Sequence, residues 1–166
     1  MAVQRLLFVC LGNICRSPAA EGVFLSLIAR EGLEDSFEVD SAGTGGWHVG
    51  CPADRRMRAA AERRGIHLNC RARQLERSDL LSFDRILTMD DDNLRAVRSL
   101  ARELEPAATG TAQIEPITSH CRQFRVREVP DPYDGDAQGF EHVLDLLQDA
   151  CGGLLESLRS QGLRAH

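Results

Sequence analysis

Lysine is missing from this sequence, and all 20 basic residues are arginine. This absence excludes the Walker A loop, which needs a Gly-Lys-Ser/Thr run to bind nucleotide phosphates. A basic excess is missing too, because 25 acidic residues give the chain a net charge of −5. Nucleic-acid phosphates require a basic protein face, so we expect no nucleic-acid partner.

Long apolar segments are also missing. No stretch approaches the roughly 20 apolar residues that cross a membrane. The apolar run near the N-terminus is shorter than a signal-peptide core, and Arg16 stands where small cleavage-site residues belong. We therefore expect a cytoplasmic protein without membrane association, in which the six cysteines are thiols.

Metal-binding patterns are missing as well, because the sequence has no Cys-x2-Cys pair and its five histidines are scattered. We expect neither a metal nor another cofactor. Repeats, low-complexity segments and linkers are absent at a length of 166 residues. We therefore expect a single domain over residues 1–166, present as a monomer.

Short apolar runs alternate with segments of helical periodicity along the chain. The predicted strands are 6–9, 37–40 and 83–89, with a weaker extended stretch at 123–129. The predicted helices are 17–32, 53–64, 90–103 and a last one carrying apolar residues from 140 to 158, loosened at Gly152 and Gly153. This order predicts an α/β fold with a parallel sheet, and a ligand site beyond the carboxyl ends of the strands.

The pattern Cys-x5-Arg occurs twice, at Cys10–Arg16 and at Cys121–Arg127. Only the first copy follows a buried strand and precedes a helix. We expect Ser17 to be the N-cap of this helix and Pro18 to be its first residue. The second copy lies in a segment that alternates like a strand. We therefore interpret the second copy as a coincidence.

The first copy has the composition of a phosphate-binding loop. Gly12 allows a close backbone approach to a ligand, and Asn13 tolerates left-handed geometry. Successive N–H groups beside a helix N-terminus form an anion site, to which Arg16 adds a planar fork. The same groups favour ionisation of the Cys10 thiol, and the Ser17 hydroxyl can hydrogen-bond to its sulfur. The alternative is a buried cysteine beside a tight turn.

The run Val9-Cys-Leu-Gly-Asn-Ile-Cys-Arg-Ser-Pro18 resembles the signature of the low-molecular-weight protein tyrosine phosphatases. The likeness continues in that family's order at Asp40-Ser-Ala-Gly-Thr, Trp47-His-Val-Gly, Met89-Asp90 and Asp131-Pro-Tyr133. The resemblance implies an α/β three-layer sandwich with a four-stranded parallel sheet flanked by helices and the phosphate loop after the first strand. It also implies hydrolysis of phosphotyrosine and of small aryl phosphates without a cofactor.

The resemblance also implies a role for each matching residue. Cys10 would be the nucleophile, Arg16 would hold the phosphoryl oxygens, and Asp131 would be the general acid that protonates the departing phenolate. Asn13 and Ser41 would brace the loop through hydrogen bonds. The substrate would be bound by Leu11, Gly12, Asn13, Ile14, Cys15, Ser17, Trp47 and Tyr133.

The sequence departs from the family at Cys70, which stands where a bracing histidine is common. A thiol is a poorer hydrogen-bond partner, so we expect an altered rigidity of the loop. The family often pairs the cysteine at Cys15 with the nucleophile in a reversible disulfide, which implies redox regulation. The alternative is that Cys15 is a small residue buried in a tight loop.

The expected partners are phosphotyrosine-containing proteins, with inorganic phosphate as product and inhibitor. One alternative is an arsenate reductase of the same fold, although no cysteine lies between Cys70 and Cys121 to relay the oxidation. A phosphoarginine phosphatase is a second alternative, disfavoured because such members carry threonine where Ile14 stands. A third is an anion-binding module without turnover.

Overall fold

The computed structural model describes residues 3–104 and 111–162, and its centre is one four-stranded parallel sheet. The strand order is β2-β1-β3-β4, so the first strand lies inside the sheet between β2 and β3. The strands are β1 Gln4–Cys10, β2 Phe37–Gly43, β3 Arg85–Thr88 and β4 Gln113–Pro116. The predicted α/β class and parallel sheet are confirmed.

Within residues 3–104 and 111–162, five helices connect and cover these strands. They are α1 Arg16–Arg30, α2 Arg55–Glu62, α3 Asp79–Ser82, α4 Asp91–Arg102 and α5 Ala137–Ser160, with short 3₁₀ turns at Glu34–Ser36 and Ile117–His120. Over the described residues, none of these helices has both the length and the apolar character that crossing a bilayer requires.

The apolar side chains of β1 are buried on both faces of the sheet. Leu6 and Phe8 pack into the larger core with residues of α1, α2 and α5, whereas Leu7 and Val9 join a second cluster around Leu80 and other residues of the α3–α4 side. Successive residues of a strand point to opposite faces, which explains the division. The result is the predicted sandwich of helices, sheet and helices.

The fourth strand is not where the sequence predicted an extended segment. The strand is Gln113–Pro116, whereas 123–129 contains no strand. The backbone N–H groups of 122–124 all donate to the carboxylate of Asp149 on α5, so a helix side chain takes the hydrogen bonds that a strand partner would supply. Four residues, of which Gln113 is exposed and the other three, ending in proline, are half-buried, give β4 too weak a pattern to be recognised.

The last helix also differs from the prediction, because α5 continues through Gly152 and Gly153 without a break. A Cβ atom at Gly153 would lie 1.8 Å from the carbonyl oxygen of His120. These glycines therefore allow the 3₁₀ turn at Ile117–His120 and the following segment to approach the helix closely, rather than loosening it.

Candidate active site

The phosphate loop, residues 10–16, connects the carboxyl end of β1 to the start of α1. Its outer edge is fixed by the segment after β2, because Thr44 N donates to Cys10 O and Gly45 N donates to Leu11 O, each at 2.9 Å. Asn13 has a φ of 56°, the left-handed geometry that was expected of it. The loop thus turns sharply between an anchored start and the first residue of α1.

Beneath the loop, a buried set of polar groups surrounds the sulfur of Cys10. The Asn13 amide donates to Ser17 Oγ at 2.8 Å, and that oxygen lies 3.0 Å from Cys10 Sγ. Since Ser17 Oγ accepts a hydrogen bond from Asn13, its own hydrogen can be donated to the sulfur at 3.0 Å, and the carbonyl oxygen of Ala42 at 3.5 Å is the more distant acceptor. The Asn13 carbonyl oxygen in turn accepts a bond from Arg73 N at 3.0 Å.

The predicted N-cap role of Ser17 is wrong. Helix α1 begins at Arg16 with Cys15 as its N-cap, and no side chain caps it. Ser17 lies inside the first turn, where its hydroxyl faces the sulfur instead of the free N–H groups. Because side chains do not occupy those N–H groups, they stay available to an anion.

Arg16 is buried, with only 3% of its side chain exposed. Its Nη1 donates to Asp90 Oδ2 at 2.7 Å and to the carbonyl oxygen of Val129 at 3.1 Å. A buried guanidinium requires such partners, because taking an unpaired charge out of water is strongly unfavourable. Burial by itself lowers the pKa of Arg16, but the Cys10 sulfur and the Asp90 carboxylate outweigh it and raise that pKa above its ordinary value.

Asp90 was not predicted as a site residue. It is the N-cap of α4, and it exchanges side-chain and backbone bonds with Asn93 in a capping box. This role holds its carboxylate at the end of β3, within reach of Arg16. The available signal was its position directly after a predicted strand, at the edge where ligand-site residues of parallel sheets lie.

Asp131 approaches Arg16 at the guanidinium nitrogen that Asp90 leaves free, Nη2. Its Oδ2 lies 3.7 Å from Arg16 Nη2, and its side chain is 46% exposed, so the carboxyl reaches both the guanidinium and solvent. Its other oxygen accepts a bond from Tyr133 N at 3.1 Å, which closes a tight turn over Asp131-Pro-Tyr133. The structure thus brings a late acidic turn to the first loop.

These groups surround a cavity of about 110 Å³. Trp47 is 74% exposed and stands at its mouth with Tyr133, which is 45% exposed. Large aromatic side chains left in solvent beside a cavity provide an apolar surface for a ring-shaped ligand. The residues that line it are Cys10, Leu11, Gly12, Ile14, Cys15, Arg16, Trp47, His48, Asp131 and Tyr133.

His48 is a further residue that sequence reasoning did not include in the site. Its ring lies 6.4 Å from that of Tyr133, centroid to centroid. A Cβ atom on Gly12 would come within 3.0 Å of His48 Cδ2, so glycine lets the imidazole approach the loop. The available signals were its place beside Trp47 in a glycine-rich segment and its inclusion in the family-like run Trp47-His-Val-Gly.

Ser41 is buried close to the loop but does not brace it as predicted. Within the described part of the chain, its hydroxyl contacts Cys70 Sγ at 4.0 Å and makes no hydrogen bond to the loop. The loop is supported instead by Arg73 N, which donates to the side chain of Asn13. Burial, followed by the charge of Glu21, raises the pKa of Cys70 to about 11. The Cys70 thiol therefore stays protonated at neutral pH.

Cys15 faces the same cavity as Cys10 and differs from it in surroundings. Burial, with the negative charges of Asp54 and Cys10 added, raises the pKa of the Cys15 thiol far above its ordinary value. An uncharged thiol is a weak nucleophile. Of the two cysteines in the cavity, Cys10 has the hydrogen-bond donor at its sulfur and the guanidinium beside it.

The arrangement has the parts that transfer of a phosphoryl group requires. A buried sulfur that can act as a nucleophile lines the cavity, with free helix N–H groups and a guanidinium that can hold phosphate oxygens. A half-exposed carboxyl lines the same cavity and can give a proton to a leaving oxygen. The exposed aromatic rings fit an aryl ester better than an aliphatic one.

Comparison with known proteins agrees with this geometry. Residues 5–164 match the family model described as low molecular weight phosphotyrosine protein phosphatase. A protein of Synechocystis sp. is 50% identical over 155 residues, which cover 93% of this chain and 96% of that protein.

Solved structures give the same result. A protein tyrosine phosphatase from Entamoeba histolytica superposes with a TM-score of 0.87 at 41% identity, covering 96% of this chain and 99% of that one. A Drosophila arginine phosphatase also superposes with a TM-score of 0.87, at 30% identity, over 93% of this chain and 97% of its own. The chain therefore belongs to the low molecular weight phosphotyrosine protein phosphatase family.

Proposed function

We propose that this protein hydrolyses phosphotyrosine in proteins, and small aryl phosphates, through a covalent phosphocysteine at Cys10. The observation that carries the proposal is the convergence of Cys10, Arg16 and Asp131 on one cavity with exposed aromatic rings at its mouth. The Cys10 thiolate attacks phosphorus, forming the S–P bond while the P–O bond to the phenol breaks. Arg16 and the loop N–H groups stabilise the charge that spreads over the equatorial oxygens.

Asp131 has two successive tasks in this scheme. As a carboxylic acid it gives its proton to the departing phenolate, which leaves poorly as an anion because a phenol has a pKa near 10. As a carboxylate it then takes a proton from water, whose oxygen attacks phosphorus and breaks the S–P bond. Inorganic phosphate leaves, and it competes with substrate for the loop as an inhibitor.

The cellular setting follows from the nucleophile. A catalytic thiol must stay reduced, so we place the protein in the cytoplasm. We propose that it acts there as a monomer on phosphotyrosine proteins. Cys15 shares the cavity, and a reversible Cys10–Cys15 disulfide would protect the nucleophile from further oxidation.

The test uses Asp131→Asn on two esters, phenyl phosphate and p-nitrophenyl phosphate. We expect kcat/KM to fall by ~10²–10³-fold for the poor phenolate leaving group and much less for the good one. Acid quenching during turnover traps the phosphocysteine, and its amount rises in Asp131→Asn because water is no longer activated. Equal losses on both esters, or no trapped intermediate, would contradict the mechanism.

Two further arms test the alternatives, namely phosphoarginine hydrolysis and arsenate reduction by the wild-type protein. Ile14 lines the cavity without a hydroxyl to bind a guanidinium, so we expect the phosphoarginine rate to be well below the aryl ester rate. Preferential turnover of phosphoarginine would assign the protein to the activity of its Drosophila structural neighbour.

A further inference from the structure

The start of helix α2 lies between the phosphate loop and the segment 130–136, the acid loop. Asp54 N donates to the carbonyl oxygen of Ile14 at 2.7 Å, which fastens the helix start to the phosphate loop. The Asp54 carboxylate caps α2 by accepting bonds from the backbone N–H groups of Arg56 and Met57. The backbone of Asp54 is thus fixed to the phosphate loop, and its carboxylate is fixed by the first turn of α2.

The guanidinium of Arg56 continues this connection to the acid loop. Nε and Nη2 donate to the two carboxylate oxygens of Asp54 at 3.2 and 3.0 Å, a forked pair with fixed direction. Nη2 also donates to the carbonyl oxygen of Tyr133 at 2.9 Å. Tyr133 N in turn donates to Asp131 Oδ1 at 3.1 Å, so one chain of bonds runs from Ile14 to Asp131.

Two aromatic rings lie close to the same guanidinium. The Cζ atom of Arg56 lies 5.4 Å from the ring centre of Tyr133 and 4.7 Å from that of Phe140. Both distances are within the range of cation–π attraction. Phe140 is buried on α5, so Arg56 holds the acid loop against a rigid element.

The acid loop has few other anchors. Its two ends are fixed, by Val129 N donating to Met89 O at 2.7 Å and by Asp136 capping α5. Between these ends, within the described part of the chain, the bond to Tyr133 O is the one hydrogen bond that ties the loop to another element. The contact of Asp131 with Arg16 is long, at 3.7 Å, and cannot fix the carboxyl by itself.

We propose that Arg56 is a positioning residue for the general acid, holding Asp131 at the distance from the phosphate loop that proton transfer requires. The proposal rests on the proposed function, because it assigns to Arg56 an effect that acts through Asp131. A small displacement of a catalytic group lowers the rate steeply, up to ~10²-fold for about 1 Å. The effect of losing Arg56 should therefore appear in proton donation and not in phosphate binding.

The test compares Arg56→Met with Arg55→Met. Methionine keeps the apolar contact with the two rings but removes every donor, and Arg55 is the exposed neighbour on α2 outside the bonds described above. The readout is kcat/KM for aryl phosphates whose phenols span a range of pKa. For Arg56→Met we expect a ~10-fold loss on phenyl phosphate and less than ~2-fold on 2,4-dinitrophenyl phosphate. Arg55→Met should match the wild type.

Two more variants show whether the effect passes through the general acid. Arg56→Lys retains one donor for Tyr133 O, so it should recover part of the loss. Arg56→Met added to Asp131→Asn should cause no further loss specific to poor leaving groups, because the group that it positions is already disabled. Thermal unfolding of each variant verifies that the fold is retained.

Failure of this inference is distinct from failure of the proposed function. If Asp131→Asn lowers all esters equally, the assignment of the general acid is wrong. If Asp131→Asn responds as expected, but Arg56→Met lowers all esters equally or behaves like Arg55→Met, the positioning role is overturned.

Discussion

The Cys-x5-Arg pattern occurs in two segments with different structural surroundings, Cys10–Arg16 and Cys121–Arg127. The first connects a central strand to a helix of 15 residues, whereas the second follows a 3₁₀ turn and is followed by no helix or strand until α5. Arg16 is buried, but the side chain of Arg127 is 82% exposed and pairs with Asp91 at the surface.

The two cysteines differ in the same way. Cys10 Sγ lies 3.0 Å from a hydroxyl that can donate to it. Cys121 lies near the carboxylate of Asp149, and burial together with that negative charge raises its thiol pKa to about 11. In this chain, the pattern therefore coincides with a candidate phosphate site only where a strand end and a helix start supply converging N–H groups.

The largest effect is expected from exchanging the sulfur in each copy. Cys10→Ser should lower kcat on p-nitrophenyl phosphate by at least ~10⁴-fold, because a neutral hydroxyl replaces the nucleophile. Cys121→Ser should leave kcat within about twofold of the wild type. Steady-state assays measure both variants. Substantial turnover by Cys10→Ser would contradict the assignment of the nucleophile to the first segment.

A smaller effect is expected from exchanging the arginine in each copy. Arg16→Lys should lower kcat by ~10²–10³-fold, since an ammonium cannot bond to Asp90 and also hold two phosphoryl oxygens in a fork. Arg127→Lys keeps the surface charge beside Asp91 and should leave kcat unchanged. The same steady-state assay applies. Equal losses of kcat in the two variants would contradict a role of Arg16 in holding the phosphoryl oxygens.

The smallest effect concerns stability, and it tests whether the segment of the second copy has a structural role. Asp149 accepts backbone bonds from the 122–124 segment, so Asp149→Asn should lower the free energy of unfolding by ~1–3 kcal/mol without changing kcat. Asp145→Asn on the same helix is the control, because its half-exposed pair with Arg64 should contribute at most ~1 kcal/mol.

The Asp149 effect should also depend on pH. Burial alone raises the pKa of Asp149, but the N–H donors of the 122–124 segment outweigh it and hold that pKa below its ordinary value of 3.8. The ionised carboxylate therefore stabilises the fold above about pH 3.8, and this contribution is lost as pH falls through the lower native pKa. Denaturant unfolding of Asp149→Asn and wild type should converge at low pH. If the difference in the free energy of unfolding stayed the same at every pH, packing and not the carboxylate charge would be its cause.

Prediction from the sequence succeeded where a signal was local. The strand that precedes Cys10 and the left-handed Asn13 follow from neighbouring residues, because burial patterns and backbone preferences act over a few positions. It failed at Ser17, where a hydroxyl suited to an N-cap binds a buried sulfur instead, and at β4, whose four residues carry little pattern.

By itself, the sequence determined the loop of the proposed nucleophile, because the sulfur, the N–H groups and the guanidinium lie within seven successive positions of a strand–loop–helix unit. Only the tertiary structure decided what surrounds that loop. Asp90, His48 and Arg56 take their places through strand order, helix capping and the path of the acid loop. A buried arginine needs partners on several sides, and sheet topology determines which distant carboxylates can reach it.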